Sequence, residues 1–194
     1  MAFIEPVTLA GRHVQLEPLS AGHHDALVDA ASDGELWKLW YTSVPSPEAM
    51  RSWLEAALSM RAHDELAFAI RDLRDGSIVG STRYFRVDAL SRRLEIGHTW
   101  YARRAQRTGI NTEAKLLLLG HAFDALNCIA VEFRTHWMNH QSRAAIARLG
   151  AKQDGVLRNH QRMPDGTLRD TVVFSIIDAE WPTVKRHLHY KLER

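Results

Sequence analysis

Apolar and polar positions alternate from His13 to Leu19, with Val14 and Leu16 set against Gln15 and Glu17, a two-residue period that predicts a first strand stopping at Pro18. Ser20 then stands as an N-cap, and Ala26, Leu27, Ala30 and Ala31 recur at helical spacing, so a short helix is expected over 21–31, broken by Gly34. The stretch 36–44 carries Trp37, Trp40 and Tyr41 without a clean period and reads either as core packing or as the wall of a substrate pocket. Ser46-Pro47-Glu48 predicts a second helix, with serine as cap and proline at its first position, running to about residue 62.

Strand patterns return over 66–71 and 78–85, joined by the turn Arg74-Asp75-Gly76, and again over 92–101 (Leu94, Ile96, Trp100) and 129–135 (Val131, Phe133). Between the last two, residues 112–126 are apolar almost all round, which predicts a helix buried against a sheet in a strand–helix–strand crossover. A helix over 139–149, stopped by Gly150, precedes strands at 155–162 and 168–177 joined by Met163-Pro164-Asp165-Gly166. The sum is one α/β domain over 1–194, with a mixed, mostly antiparallel sheet of about seven strands and four to five helices. Its core is expected over about 8–178, with a polar tail, 179–194, that forms a last helix.

Composition narrows the class. Hydrophobic residues make up 45% and charged residues 25% of 194, the balance of a folded globular chain. A net charge of +2 without any Lys/Arg block argues against nucleic acid as partner. No window reaches the ~18 uninterrupted apolar residues of a membrane span, and no basic-then-apolar leader opens the chain, so a cytoplasmic protein is expected. The lone Cys128, in Leu126-Asn127-Cys128-Ile129, reads as a buried, inert thiol. The spacings His136-x-x-x-His140 and His187-x-His189 lack a completing ligand set, and no metal is expected.

The informative segment is Arg103-Arg104-Ala105-Gln106-Arg107-Thr108-Gly109-Ile110-Asn111-Thr112, between the long strand and the buried helix. A helix start presents unpaired N–H groups and the positive end of a dipole, and a preceding turn can curl further N–H groups toward the same point, so a small anion fits there. Gly109 would admit close backbone approach, Asn111 tolerates a positive φ, and Thr112 would cap the helix or reach a phosphate. The segment is neither a G-x-x-x-x-G-K-[ST] loop nor a G-x-G-x-x-G turn, which demotes ATP and NAD.

Gln106-x-x-Gly109-x-Asn111 resembles the coenzyme A loop [QR]-x-x-G-x-[GA] of the GCN5-related N-acetyltransferases (GNAT), departing from it at Asn111. The similarity extends over about 8–178 and is nearest to the RimJ/RimL-like branch of ribosomal-protein acetyltransferases, through Leu94-Glu95-Ile96-Gly97-His98-Thr99-Trp100, Asn139-x-x-Ser142 and the closing hairpin from Gly155 to Val172. The resemblance implies an acetyl-CoA-dependent N-acetyltransferase, with acetyl-CoA as co-substrate and a primary amine, on a small molecule or a protein N-terminus, as acceptor.

It also implies roles. Backbone N–H groups of Thr99, Trp100 and Tyr101 would meet the pantetheine and the thioester carbonyl. Gln106, Arg107, Thr108, Gly109, Ile110, Asn111 and Thr112 would cradle the diphosphate. Asn139 would contact the pantetheine arm, Ser142 would stand near the sulfur as general acid, and Arg143 would reach a phosphate. Glu95 would be the base; alternatively it is a strand carboxylate paired with Arg83 or another neighbour. His98, three residues on, should face away from it, and His136 and His140 are further base candidates. Helix capping is the rival reading for Asn139 and Ser142. Trp37, Trp40, Tyr41 and Tyr84 would wall the acceptor side, and a homodimer is possible. The competing function is a non-catalytic acyl-CoA-binding module.

Overall fold

The computed structural model describes the backbone of residues 3–63 and 65–194. Eight strands form one sheet: β1 (Leu9–Ala10), β2 (Val14–Pro18), β3 (Leu66–Asp72), β4 (Ile78–Asp88), β5 (Arg93–Tyr101), β6 (Ala130–His136), β7 (Lys152–Arg162) and β8 (Leu168–Ile177). Their order is β1-β2-β3-β4-β5-β6-β8-β7, antiparallel throughout except for the β5–β6 pair, so the expected mixed sheet gains only a two-residue edge strand. Among the described residues five α-helices accompany it: α1 (His24–Ser32), α2 (Met50–Ser59), α3 (Gly109–Gly120), α4 (His140–Leu149) and α5 (Trp181–Leu192).

The crossover helix buries Ile110, Ala114, Leu118 and Leu119, the i, i+4, i+8 stripe that its composition predicts. Its end is continued by a π-helical turn over His121–Ala125. α5 packs on α3 through Trp181, Val184 and Leu188, with Trp181 stacked on Phe123 at 5.3 Å, so residues 181–192 are part of the packed body rather than a polar tail. Glu113 accepts hydrogen bonds from the backbone N–H groups of Arg12, His13 and Val14 (2.7–2.8 Å), tying α3 to the start of β2.

Two helix starts differ from expectation. α2 begins at Met50, because Ser46-Pro47 instead forms successive i to i+3 turns; Ser46 caps that turn, its Oγ accepting from the Ala49 N–H at 3.4 Å while its hydroxyl donates to Glu48 at 2.7 Å. α3 begins at Gly109, because Thr108 is the cap: its Oγ1 accepts from the Ile110 N–H at 3.3 Å. Thr112 therefore sits in the buried first turn and caps nothing, and Asn111 is helical; the left-handed residue of this loop is Arg107, at φ 60°.

Candidate functional site

β5 and β6 pair only over Arg93–Glu95 against Ala130–Glu132. Beyond Glu95 they part, and a cleft of about 850 Å³ opens between them. On its other side β5 is bulged against β4, where the pairing skips from Arg83–Gly97 to Ser81–Trp100. The bulge leans on Gly80, whose Cβ, if present, would stand 2.1 Å from the Trp100 carbonyl oxygen.

One end of the cleft is the loop before α3. Gln106 turns its amide back to the Tyr101 carbonyl at 2.9 Å, and the Thr108 hydroxyl donates to the Ala105 carbonyl at 2.7 Å, so the loop is fixed before any ligand arrives. Gln106, Arg107, Thr108 and Asn111 line the cleft together with Thr99, Trp100 and Tyr101, whereas Gly109, Ile110 and Thr112 do not. Of the basic residues flanking this turn, Arg104 is paired with Asp33 at 3.1 Å; Arg107 is the one that faces the cleft. Asn139 and Ser142 line the opposite wall, with Asn139 Oδ1 accepting the Ser142 N–H at 2.9 Å as the cap of α4. Arg143 turns away and lies over the Trp137 ring at 4.1 Å; Arg148 lines the cleft instead.

The other end surrounds Glu95, which is 3% exposed and lies at the point where the strands part. Its carboxylate is 3.4 Å from Arg86 and 3.4 Å from Arg134, not against Arg83, which pairs with Glu65 at 2.9 Å. Burial dominates and raises the Glu95 pKa to about 7, with Arg86 and Arg134 opposing it. His98 lines the same cleft as Glu95, because its φ of 48° breaks the strand alternation. It packs edge-on to Phe85 at 4.8 Å, and crowding together with nearby arginines lowers its pKa to about 4. His136 also lines the cleft; His140 opens α4, is exposed and does not.

The expected acceptor wall is only partly right. Tyr41 lines the cleft and Trp40 packs edge-on to His136 at 5.2 Å, but Trp37 packs toward the core. Tyr84 is fully buried under α3, with its hydroxyl donated to the Leu118 carbonyl at 2.6 Å. Trp53 lines the wall and meets Trp100 edge-on at 6.2 Å.

Lys115 was not singled out by its sequence. Its Nζ, buried on α3, donates to Thr99 Oγ1 at 2.8 Å and Thr82 Oγ1 at 3.3 Å, and burial lowers its pKa to about 7. The signal was there, since position 115 shares the stripe of Leu118 and Leu119 at i+3 and i+4. Among the described residues four further polar atoms of the cleft wall are buried without a hydrogen-bond partner: Trp100 Nε1, Tyr101 Oη, Arg134 Nε and His136 Nε2. Burial holds the Tyr101 phenol well above its usual range, so it keeps its proton. A long, polar, amide-bearing ligand threaded between β5 and β6 fits the Trp100 and Tyr101 part of this wall, because it would satisfy those two buried groups, which otherwise carry a desolvation cost.

The family model described as "Acetyltransferase (GNAT) domain" matches residues 13–152. The chain is 32% identical over 109 residues to the Bacillus subtilis (strain 168) protein named "Putative ribosomal N-acetyltransferase YdaF", a match over 56% of this chain and 58% of that protein. A crystal structure of a GCN5-related N-acetyltransferase from Brucella melitensis superposes with a TM-score of 0.87 at 31% identity, covering 97% of this chain and 86% of that one. Mycobacterium smegmatis RimJ, solved in complex with CoA-disulfide, shares the fold at a TM-score of 0.80 and 23% identity, over 96% of this chain and 95% of that one. With a strand pair that parts around a ligand-sized cleft and a capped helix start at one end of it, the chain belongs to the GNAT acetyltransferase family.

Proposed function

We propose that this protein transfers acetyl from acetyl-CoA to a primary amine by direct attack in a ternary complex, with Glu95 as base. The observation that carries the reading is the Glu95 carboxyl, buried where β5 and β6 part and with a pKa near 7. A general base is most effective with a pKa near the working pH, and His98, near 4, is a much weaker one.

Acetyl-CoA supplies an activated thioester. Arg107 and Thr108 at the start of α3, with Asn111 and the N–H groups there, would hold its diphosphate; Asn139, Trp100 Nε1 and Tyr101 Oη would hold its amide-bearing arm. Glu95 takes a proton from the acceptor ammonium, leaving a neutral nitrogen. As the C–N bond forms, N–H groups of β5 beyond Glu95, on the edge where β6 no longer pairs, would face the developing oxyanion. The C–S bond then breaks, Ser142 passes its hydroxyl proton to the leaving thiolate, and the proton still on the product nitrogen restores the serine.

Calorimetric titration with acetyl-CoA, followed by thiol release across a panel of amines and N-terminal peptides, tests the reading. Micromolar binding with amine-dependent release is expected; binding with no release for any amine would leave only an acyl-CoA-binding module.

A further inference from the structure

The charge around Glu95 is one-sided. Among the described residues, Glu95 is the only acidic side chain lining the cleft, against the arginines 86, 107, 134, 148, 162 and 169 and Lys115. Arg107, at the α3 loop, belongs to the end assigned to the diphosphate. Glu95 lies six residues up β5 from Tyr101, where that loop begins, a strand distance of roughly 20 Å. Phosphates held at the loop do not account for the cations around Glu95.

Those cations come from three strands. Arg86 follows Phe85, the β4 partner of Glu95, and takes a left-handed φ of 49°; Arg134 lies on β6 and Arg169 on β8. Arg134 is shared with Glu132, which also binds Arg93. Among the described residues Arg169 has no carboxylate partner: its Nε donates to Thr171 Oγ1 at 3.0 Å, and burial lowers its pKa. The charge opposing that shift is Glu95, already shared by Arg86 and Arg134, so Arg169 is left with no bonded carboxylate of its own, a costly state for a half-buried guanidinium unless a ligand completes it.

A second observation points the same way. His136 is 5% exposed, and its Nδ1 accepts the Met138 N–H at 3.0 Å, which leaves the proton of the neutral ring on Nε2. That Nε2 is buried, has no partner and belongs to a ring lining the cleft, so it is a donor awaiting an acceptor. The three histidines of the wall, 98, 136 and 160, all have lowered pKa values, burial first and Arg169 among the further causes for each.

From the surplus of arginines around Glu95 and the unpartnered His136 donor, we infer that the acceptor is an anionic amine, one carrying a carboxylate near its amino group, held by Arg169 with Arg86, Arg134 and His136. The inference rests on the acetyltransferase reading and narrows it: polyamines and polycationic amines are excluded by repulsion, and the carboxylate belongs either to a free amino acid or to an acidic peptide N-terminus.

The test uses the full chain with acetyl-CoA and three tetrapeptides, Ser-Asp-Glu-Gly, Ser-Asn-Gln-Gly and Ser-Lys-Lys-Gly, all amidated at the C-terminus. Free aspartate against its diamide, and spermidine, complete the set. Thiol release should favour the acidic peptide or aspartate over its neutral counterpart by tenfold or more in kcat/KM, chiefly through KM, and the preference should shrink as salt rises. Whichever of the two leads identifies the source of the carboxylate. Arg169→Gln should cut the anionic-to-neutral ratio at least fivefold, with Arg169→Lys keeping part of it. Equal or better use of the neutral or cationic acceptors, or a ratio indifferent to both salt and Arg169→Gln, would overturn the inference. If no amine is acetylated, binding of the N-acetylated peptides to the enzyme–coenzyme A complex separates the two ideas: preference for the acidic one upholds anion recognition while the catalytic reading fails, and equal binding removes both.

Discussion

The end of the cleft beside α3 is made from one run of chain, residues 101–111, whereas the end around Glu95 is assembled from β4, β5, β6 and β8. The first works through a helix start and a cap, groups that present N–H donors whatever the side chains beside them. The second works through side chains whose charges and pKa values exist only because distant strands meet. Binding a common co-substrate and activating a particular acceptor thus fall to two kinds of construction, and substitutions should separate them.

The largest effect is expected from Glu95→Gln, which should lower kcat by about 10²–10⁴-fold while coenzyme A affinity, by calorimetry, stays within about twofold. In the parent protein kcat/KM should rise with pH through about 7, as the Glu95 carboxyl is released, and this limb should vanish in the variant. Equal losses of affinity and turnover would erase the division between the two ends.

Next comes a stability profile, read by urea unfolding across pH. The raised pKa of Glu95 contributes stability that is fully present below the unfolded value of 4.5 and is lost as pH rises to about 7. The lowered pKa of Lys115 contributes stability present above the unfolded value of 10.5 and lost as pH falls to about 7. Together they should give a minimum near pH 7, on the order of 1–3 kcal/mol deep, and Lys115→Met should flatten its alkaline limb.

Arg107→Gln should weaken coenzyme A binding by about tenfold with little change in Tm, since this exposed guanidinium faces the cleft at the α3 loop. The smallest effect is that of Thr108→Ala, a loss of about 1 kcal/mol of stability from the missing cap.

The same division governs what the sequence made legible. The strands, the crossover helix and the α3 loop could be read because period, caps and Gln106-x-x-Gly109 are local signals. Even so, Thr112 was offered as a cap or a phosphate contact and Thr108 was not singled out as the cap, as each threonine has the right chemistry and only the backbone at Arg107 decides between them. At the Glu95 end, alternation predicted His98 on the far face, and a left-handed residue in the bulge reversed it. That Glu95 would have an arginine neighbour was legible, but which one was not, because register across a bulge cannot be counted along one strand: Arg86 and Arg134 stand there, and Arg83 pairs with Glu65. Lys115 was overlooked because a lysine is ordinarily taken for a solvated residue, although its helical neighbours marked the buried stripe.

The packing of α5 on α3 has a practical consequence for spectroscopy. Leu192, half-buried, lies against Gly109, while Cys128 is buried with a pKa raised to about 11. A Leu192→Cys variant would therefore take a thiol-reactive fluorophore at one position only, beside the α3 loop, and the dye's emission would report loading of that loop in real time without any turnover.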